Sequence, residues 1–317
     1  EPIEVEAPDR LGKAKRIDDA AGRYIEFCKA TLALGTSFAG LRVVLDCAHG
    51  ATYHIAPSVF SELGAEVICI GVAPDGFNIN AGCGSMHPEA LAEAVAAHDA
   101  HLGIAYDGDG DRVVMIDETG ALLDGDDILY AIVRDRVETE GYRGGVVGTL
   151  MSNLGLELAL RELGLSFERV KVGDRHVFEA LKRNGWLYGG ESSGHILCLD
   201  RAGTGDGIVS SLQVVAAMRR RGEPMSALRS AVRKYPQLML NVPLSRKMDM
   251  STMDDVWERV RDMEREFAGR GRVVLRASGT EPLVRVMVES DDKDLTRRAA
   301  EELAGMVQRA VDGRRTD

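Results

Sequence analysis

The feature that most constrains this chain is a repeated alternation: a short apolar run, a stretch with helical spacing, then another apolar run. Leu41 to Cys47 and Ala65 to Ile70 are two such runs, with helical spacing from Tyr53 to Leu63 between them. Pro88 to His98 then predicts a helix that starts on proline, and His101 to Tyr106 a further strand. Upstream, Asp18 before Ala20 to Lys29 predicts a capped amphipathic helix. The pattern restarts with helices at Gly125 to Glu138, Leu154 to Leu163 and Asp174 to Asn184 and strands at Gly145 to Leu150, Glu168 to Val172 and Trp186 to Gly190. These strands are continuously apolar rather than alternating, as expected of parallel strands covered on both faces.

After helical stretches at Gly207 to Arg220 and Pro224 to Lys234 the order changes. Strand (Gln237 to Val242), helix (Met253 to Phe267), two strands (Arg272 to Arg276, Leu283 to Glu289) and a last helix (Asp294 to Val311) follow. The fold class expected is α/β: two tandem three-layer α/β domains, 18–119 and 120–235, then a smaller α+β domain, 236–317, with 1–17 a linker or remnant. The like size of the first two suggests an old duplication.

Composition narrows the partners. The 317 residues carry 39 basic and 50 acidic side chains, a net charge of −11, with no basic block, which argues against nucleic acid. A small anion remains possible where a few arginines converge. Five cysteines, odd in number and widely spaced, predict reduced thiols and a cytoplasmic setting. There is neither a leader-like start nor an apolar run of membrane-spanning length, so no membrane partner is expected. Thirty-five glycines point to loops whose backbone approaches a ligand. Trp186 and Trp257 are expected in the core, and His49 and His54 as structural.

Three loops carry the chemistry. Tyr106-Asp107-Gly108-Asp109-Gly110-Asp111-Arg112 lies between two strand-like runs. Three carboxylates at alternate positions repel one another in a tight turn unless a hard cation joins them. A calcium helix-loop-helix site would align Asp107, Asp109, Asp111 and Glu118, but it requires glycine where Arg112 stands, and helical flanks. Mg²⁺ held together with a phosphate suits Arg112 better; the plain alternative is a solvated acidic turn. The second loop, Arg276-Ala277-Ser278-Gly279-Thr280-Glu281-Pro282 with Arg285 beyond it, offers hydroxyls, an amide and two guanidinium groups to a phosphate ester, or is an ordinary hairpin turn. The third, Gly189-Gly190-Glu191-Ser192-Ser193-Gly194-His195, could meet sugar hydroxyls through Glu191 and Ser193 and a proton or phosphate through His195, or be a glycine turn with a satisfied histidine. Lys171-Val172-Gly173-Asp174-Arg175 joins a strand to a helix start, where an anion could bind, and is equally a plain connection.

In this order the loops resemble those of the α-D-phosphohexomutase superfamily: D-G-D-G-D-R for metal, G-E-x-S-G-H for sugar, R-x-S-G-T-E-P for phosphate. Ala20 to Lys29, Asp46 to Tyr53, Gly148 to Asn153 and Val172 to Arg175 further resemble its bacterial branch acting on glucosamine phosphates. The resemblance implies the second to fourth of four domains, without the first, whose phosphoserine loop has no counterpart here; the isolated chain is then expected to be inactive. It implies an isomerase interconverting glucosamine 6-phosphate and glucosamine 1-phosphate through a 1,6-bisphosphate, for amino-sugar nucleotide and cell-wall precursor synthesis. Asp107, Asp109 and Asp111 would hold Mg²⁺. Arg112 and His195 are the catalytic candidates. Gly173, Asp174, Arg175, Glu191, Ser193, His195, Arg276, Ser278, Gly279, Thr280 and Arg285 are the substrate-binding candidates. A homodimer is a possible assembly. The metal loop and the arginine-flanked pocket are expected to face each other across one cavity.

Three alternatives remain. One is a sister enzyme acting on mannose or glucose phosphates. Another is a phosphosugar-binding protein without turnover. The last is a phosphatase with Asp107 as nucleophile, which leaves the sugar and phosphate loops idle.

Overall fold

The computed structural model describes residues 7–15, 17–244, 250, 253–278 and 282–313. The first unit contains α1 (Ala20–Ala30), β1 (Arg42–Asp46), α2 (Ala56–Glu62), β2 (Glu66–Ile70), α3 (Glu89–Ala97), β3 (Leu102–Tyr106), β4 (Val113–Asp117) and β5 (Leu122–Leu123). Its sheet runs β2-β1-β3-β4-β5. The first three strands are parallel, and β3, β4 and β5 form an antiparallel meander. Period-two alternation sends Val44 and Ala105 to the face covered by α3, with Leu91 and Val95, and Val43, Leu45 and Ile104 to the other.

The second unit contains α4 (Gly125–Glu140), β6 (Val146–Thr149), α5 (Leu154–Glu162), β7 (Phe167–Val170), α6 (Asp174–Asn184), β8 (Tyr188–Gly190), β9 (Ile196–Cys198), α7 (Gly207–Arg221) and α8 (Met225–Arg229). Its sheet runs β7-β6-β8-β9, with only β9 antiparallel. The outer face packs Val147 and Leu197 against Val177 and Leu181 of α6. The inner face joins one continuous core with the first unit, including Phe60, Ile104, Ile128, Val146, Leu160 and Leu212. The two α/β units are therefore joined through a shared interior, which local periodicity does not reveal.

The third unit has β10 (Gln237–Pro243), α9 (Asp254–Phe267), β11 (Gly271–Ala277), β12 (Leu283–Ser290) and α10 (Lys293–Gly313). Its antiparallel sheet, ordered β10-β12-β11, has a core of its own around Val256, Phe267, Val286 and Leu303. Polar contacts tie it to the second unit. Arg272 donates to the carbonyls of Leu150 at 2.9 Å and Ser152 at 2.7 Å; at the end of the second unit, Asn153 exchanges two 2.9 Å hydrogen bonds with the backbone of Tyr235 just before β10.

Several expected elements differ. Helix α1 is capped at Asp19, whose carboxylate pairs with Arg23 instead of the backbone. Regular helix in α2 begins at Ala56, with Pro57 in its first turn, because residues from Gly50 on form turns. The helix expected over Pro224 to Lys234 stops at Arg229. Trp186 and Trp257 are only half-buried, and the Trp257 indole donates to the Met250 carbonyl at 2.8 Å. All five cysteines are free thiols.

Candidate functional site

The acidic loop is the connection of a β-hairpin: Tyr106 pairs with Val113, and residues 107–112 turn the chain. These strand flanks exclude a calcium helix-loop-helix site, which needs helices on both sides. The loop folds around Asp107, which is buried and whose Oδ1 accepts the amides of Gly110 and Arg112, both at 3.1 Å. Its backbone sits against bare glycine surfaces. A Cβ on Gly50 would lie 2.2 Å from the Gly108 oxygen, and Gly110, at φ +77°, would meet Thr52 at 2.5 Å. From the other side, the Gly207 amide at the start of α7 donates to the Gly110 carbonyl at 2.9 Å.

One oxygen from each of Asp107, Asp109 and Asp111 can lie within 4.8 Å of the others, the one such group of three metal-ligating side chains among the described residues. Burial raises the proton affinity of Asp107; the Arg112 amide opposes this, and the charges of Asp111 and Asp109 add to it. Asp111 Oδ1 is buried without a hydrogen-bond partner. The Arg112 guanidinium lies 3.4 Å from Asp107 Oδ2 and 3.7 Å from Asp111 Oδ1, too far to satisfy either oxygen fully. Crowded carboxylates with an orphaned oxygen make a donor set suited to a hard divalent cation.

The Glu191–His195 loop also turns a hairpin, between Gly190 and Ile196. It docks directly on the acidic loop. Val113 donates its amide to the Gly194 carbonyl at 3.1 Å, and Arg112 and His195 form an isolated antiparallel bridge. Gly194, at φ +99°, permits this approach, since a Cβ there would lie 2.2 Å from the Val113 oxygen. His195 is buried, and its Nδ1 lies 3.1 Å from Asp111 Oδ2. Glu191 Oε1 accepts the Gly173 amide at 2.9 Å, while Ser193 is exposed.

Gly173 is the N-cap of α6 at φ 126°, so Asp174 and Arg175 open that helix. Arg175 is exposed and pairs with Glu179 at 2.8 Å. Asp174, Arg175, Phe178, His195 and Thr204 line a cavity of about 220 Å³ beside the loop.

In the third unit Arg276 and Arg285 are ladder partners on β11 and β12. Burial, then the charge of Arg285, pulls the Arg276 guanidinium below its ordinary range. Ser278 donates its amide to the Leu283 carbonyl at 2.8 Å; Gly279 and Thr280 lie outside the described residues.

Sequence inspection missed the Thr204-Gly205-Asp206-Gly207 string that opens α7. Asp206 caps the helix by accepting the Val209 amide at 2.9 Å, and also accepts the Tyr24 hydroxyl of α1 at 2.6 Å. Two glycines around a capping aspartate were the available signal.

Profiles of the phosphoglucomutase/phosphomannomutase family match residues 22–120 (alpha/beta/alpha domain II), 124–235 (alpha/beta/alpha domain III) and 239–306 (C-terminal domain). The phosphoglucosamine mutase of Hahella chejuensis is 56% identical over 311 residues, covering 98% of this chain and 70% of that protein. That of Aeromonas hydrophila is 57% identical over 300 residues, covering 95% and 68%. Among solved structures, a phosphoglucomutase/phosphomannomutase family protein from Burkholderia thailandensis superposes with a TM-score of 0.76 at 22% identity, over 92% of this chain and 64% of that one. Aspergillus fumigatus N-acetylphosphoglucosamine mutase, solved with GlcNAc-6P and magnesium, gives 0.70 at 20% identity, over 93% and 66%. With three consecutive domain profiles and more than half of its residues shared with these relatives, the chain belongs to the phosphohexomutase family and, within it, to the phosphoglucosamine mutases.

Proposed function

We propose that this chain supplies the metal, sugar and phosphate sites for interconversion of glucosamine 6-phosphate and glucosamine 1-phosphate, in the cytoplasm and upstream of amino-sugar nucleotides. The domains proposed are 18–119 with the metal loop, 120–235 with the sugar loop and 236–317 with the phosphate loop. The observation that supports this reading most is the direct docking of the Glu191–His195 loop on the Asp107–Arg112 loop, Val113 N to Gly194 O at 3.1 Å.

Asp107, Asp109 and Asp111 would hold Mg²⁺, which when bound neutralises charge on a phosphoryl group in transfer. Arg112 adds a positive charge beside that group. Glu191 and Ser193 bind sugar hydroxyls, with His195 beside them. Gly173, Asp174 and Arg175 line the sugar's approach, and Arg276, Ser278, Gly279, Thr280 and Arg285 hold the phosphate that stays in place. A mutase must accept either end of its sugar, so one fixed phosphate pocket facing one reacting centre is an economical division. The phosphoserine donor has no counterpart in this sequence; assembly as a homodimer is part of the proposal. Among the described residues no helix is long and apolar enough to cross a membrane.

The test is turnover by the protein containing this sequence, offered glucosamine 6-phosphate, mannose 1-phosphate and glucose 1-phosphate separately. Preference for the amino sugar is expected. Preference for mannose or glucose phosphate overturns the sugar assignment, and binding of glucosamine 6-phosphate with no phosphoenzyme favours a binding protein.

A further inference from the structure

We infer that His195, carried by the sugar loop, is a positioning residue for the metal loop: it fixes which oxygen of Asp111 faces the cation. This rests on the metal role proposed for the aspartate triplet and goes beyond it by assigning separate duties to the two oxygens of each inner carboxylate.

In Asp107, Oδ1 is anchored by two backbone amides, Gly110 and Arg112, which leaves Oδ2. In Asp111, Oδ2 is anchored at 3.1 Å by His195 Nδ1, which leaves Oδ1, buried and without a hydrogen-bond partner. The two remaining oxygens both turn toward one positive group, the Arg112 Nε, at 3.4 and 3.7 Å. The backbone anchors Asp107, whereas Asp111, with its side chain 38% exposed, depends on a side chain from another domain.

The imidazole is held for this task. A carboxylate only accepts, so Nδ1 carries the hydrogen in this contact. On its far edge the ring abuts Gly205, where a Cβ would lie 2.3 Å from Nε2. Its backbone is fixed by the Glu191 amide, which donates to the His195 carbonyl at 3.0 Å. An outer partner that orients a ligating carboxylate commonly changes metal affinity about 10- to 100-fold when removed.

The experiment measures Mn²⁺ affinity of the whole chain by the EPR signal of free Mn²⁺, with Mg²⁺ in competition, for wild type, H195A, H195N, G205A and D111N. Asparagine places an N–H at the same bond distance from Cβ as His195 Nδ1. H195A is expected to bind about tenfold more weakly, H195N to recover to within about threefold of wild type, and G205A, whose Cβ would overlap the imidazole and force it from its place, to resemble H195A. Unchanged affinity in H195A, or H195N as weak as H195A, overturns the inference. Should H195A fail to fold, H195N and G205A decide it: strong binding in G205A or weak binding in H195N counts against. Wild type binding no better than D111N would instead overturn the metal reading itself, and this inference with it.

Discussion

Arg276 on β11 and Arg285 on β12 stand directly opposite each other in an antiparallel ladder, so two guanidinium side chains leave the same face of the sheet as neighbours. Like charges opposed in this way destabilise a sheet unless an anion joins them, and Arg276 is correspondingly pulled down by burial and by Arg285. Each hydrogen bond from a charged donor contributes about 1.5–3 kcal/mol. R276A should therefore weaken binding of glucosamine 6-phosphate, measured calorimetrically, by about tenfold or more. Inorganic phosphate is expected to raise the melting temperature of the wild type and not that of R276A. A variant that binds the sugar phosphate normally would remove this ladder pair from the site.

A second prediction concerns pH. At the start of α4, burial pushes Asp126 up to about 6 and Asp127 up to about 7, against an ordinary 3.8, although Lys234 faces both. Asp124 adds repulsion to both, while the Asn153 amide and Arg169 favour the charged form of Asp126. The unfolded chain loses these protons near pH 3.8, whereas the folded chain keeps them to about 6 and about 7. Within that window the folded state binds more protons, so this contribution to stability falls as pH rises. Thermal melts from about pH 4 to about pH 7 should show a flatter decline for D127N than for wild type. An identical slope in the two proteins would contradict the shift.

Arg272 yields a third. Its guanidinium pairs with Glu289, which is fully buried, and donates to the carbonyls of Leu150 and Ser152 in the second unit. Removing one partner strands a buried charge, which costs about 3–5 kcal/mol. R272A should lose about that much in urea denaturation, and the combined R272M/E289Q change should lose distinctly less. Equal losses would mean that the contacts to the second unit, not the ion pair, dominate.

Much of the fold was legible because its elements obey local rules. Helix α6 matches the expected Asp174–Asn184 at both ends, since Gly173 and Gly185 punctuate it in conformations that favour glycine. What failed depends on contacts distant in sequence. Apolar spacing continues beyond Arg229, but Lys234 is drawn to Asp124 and Tyr235 to Asn153, so the chain leaves its helical path. Strands β5 and β9, two and three residues long, are too short to show a period. The acidic triplet was evident from charge crowding alone. Its coupling to His195 was not, because residues 84 positions apart meet only when the two hairpins dock.

The last prediction separates two glycines that look alike in sequence. Gly50 has no room for a side chain: a Cβ would lie 2.2 Å from the Gly108 oxygen and 2.7 Å from its carbonyl carbon, both backbone atoms of the metal loop. The Ala51 amide also donates to that oxygen at 2.8 Å, so relief would require the loop to shift as a body. Overpacking of this kind costs about 1–3 kcal/mol, and G50A should both destabilise the protein and weaken Mn²⁺ binding. Gly22, inside α1, has nothing within 4 Å of its Cβ position. There alanine removes only backbone freedom from the unfolded chain, so G22A should gain about 0.5–1 kcal/mol and leave metal affinity unchanged. Denaturation midpoints and Mn²⁺ titrations of both variants check the contrast, and a G50A protein with wild-type metal affinity would show that the seat beneath Gly108 does not shape the site.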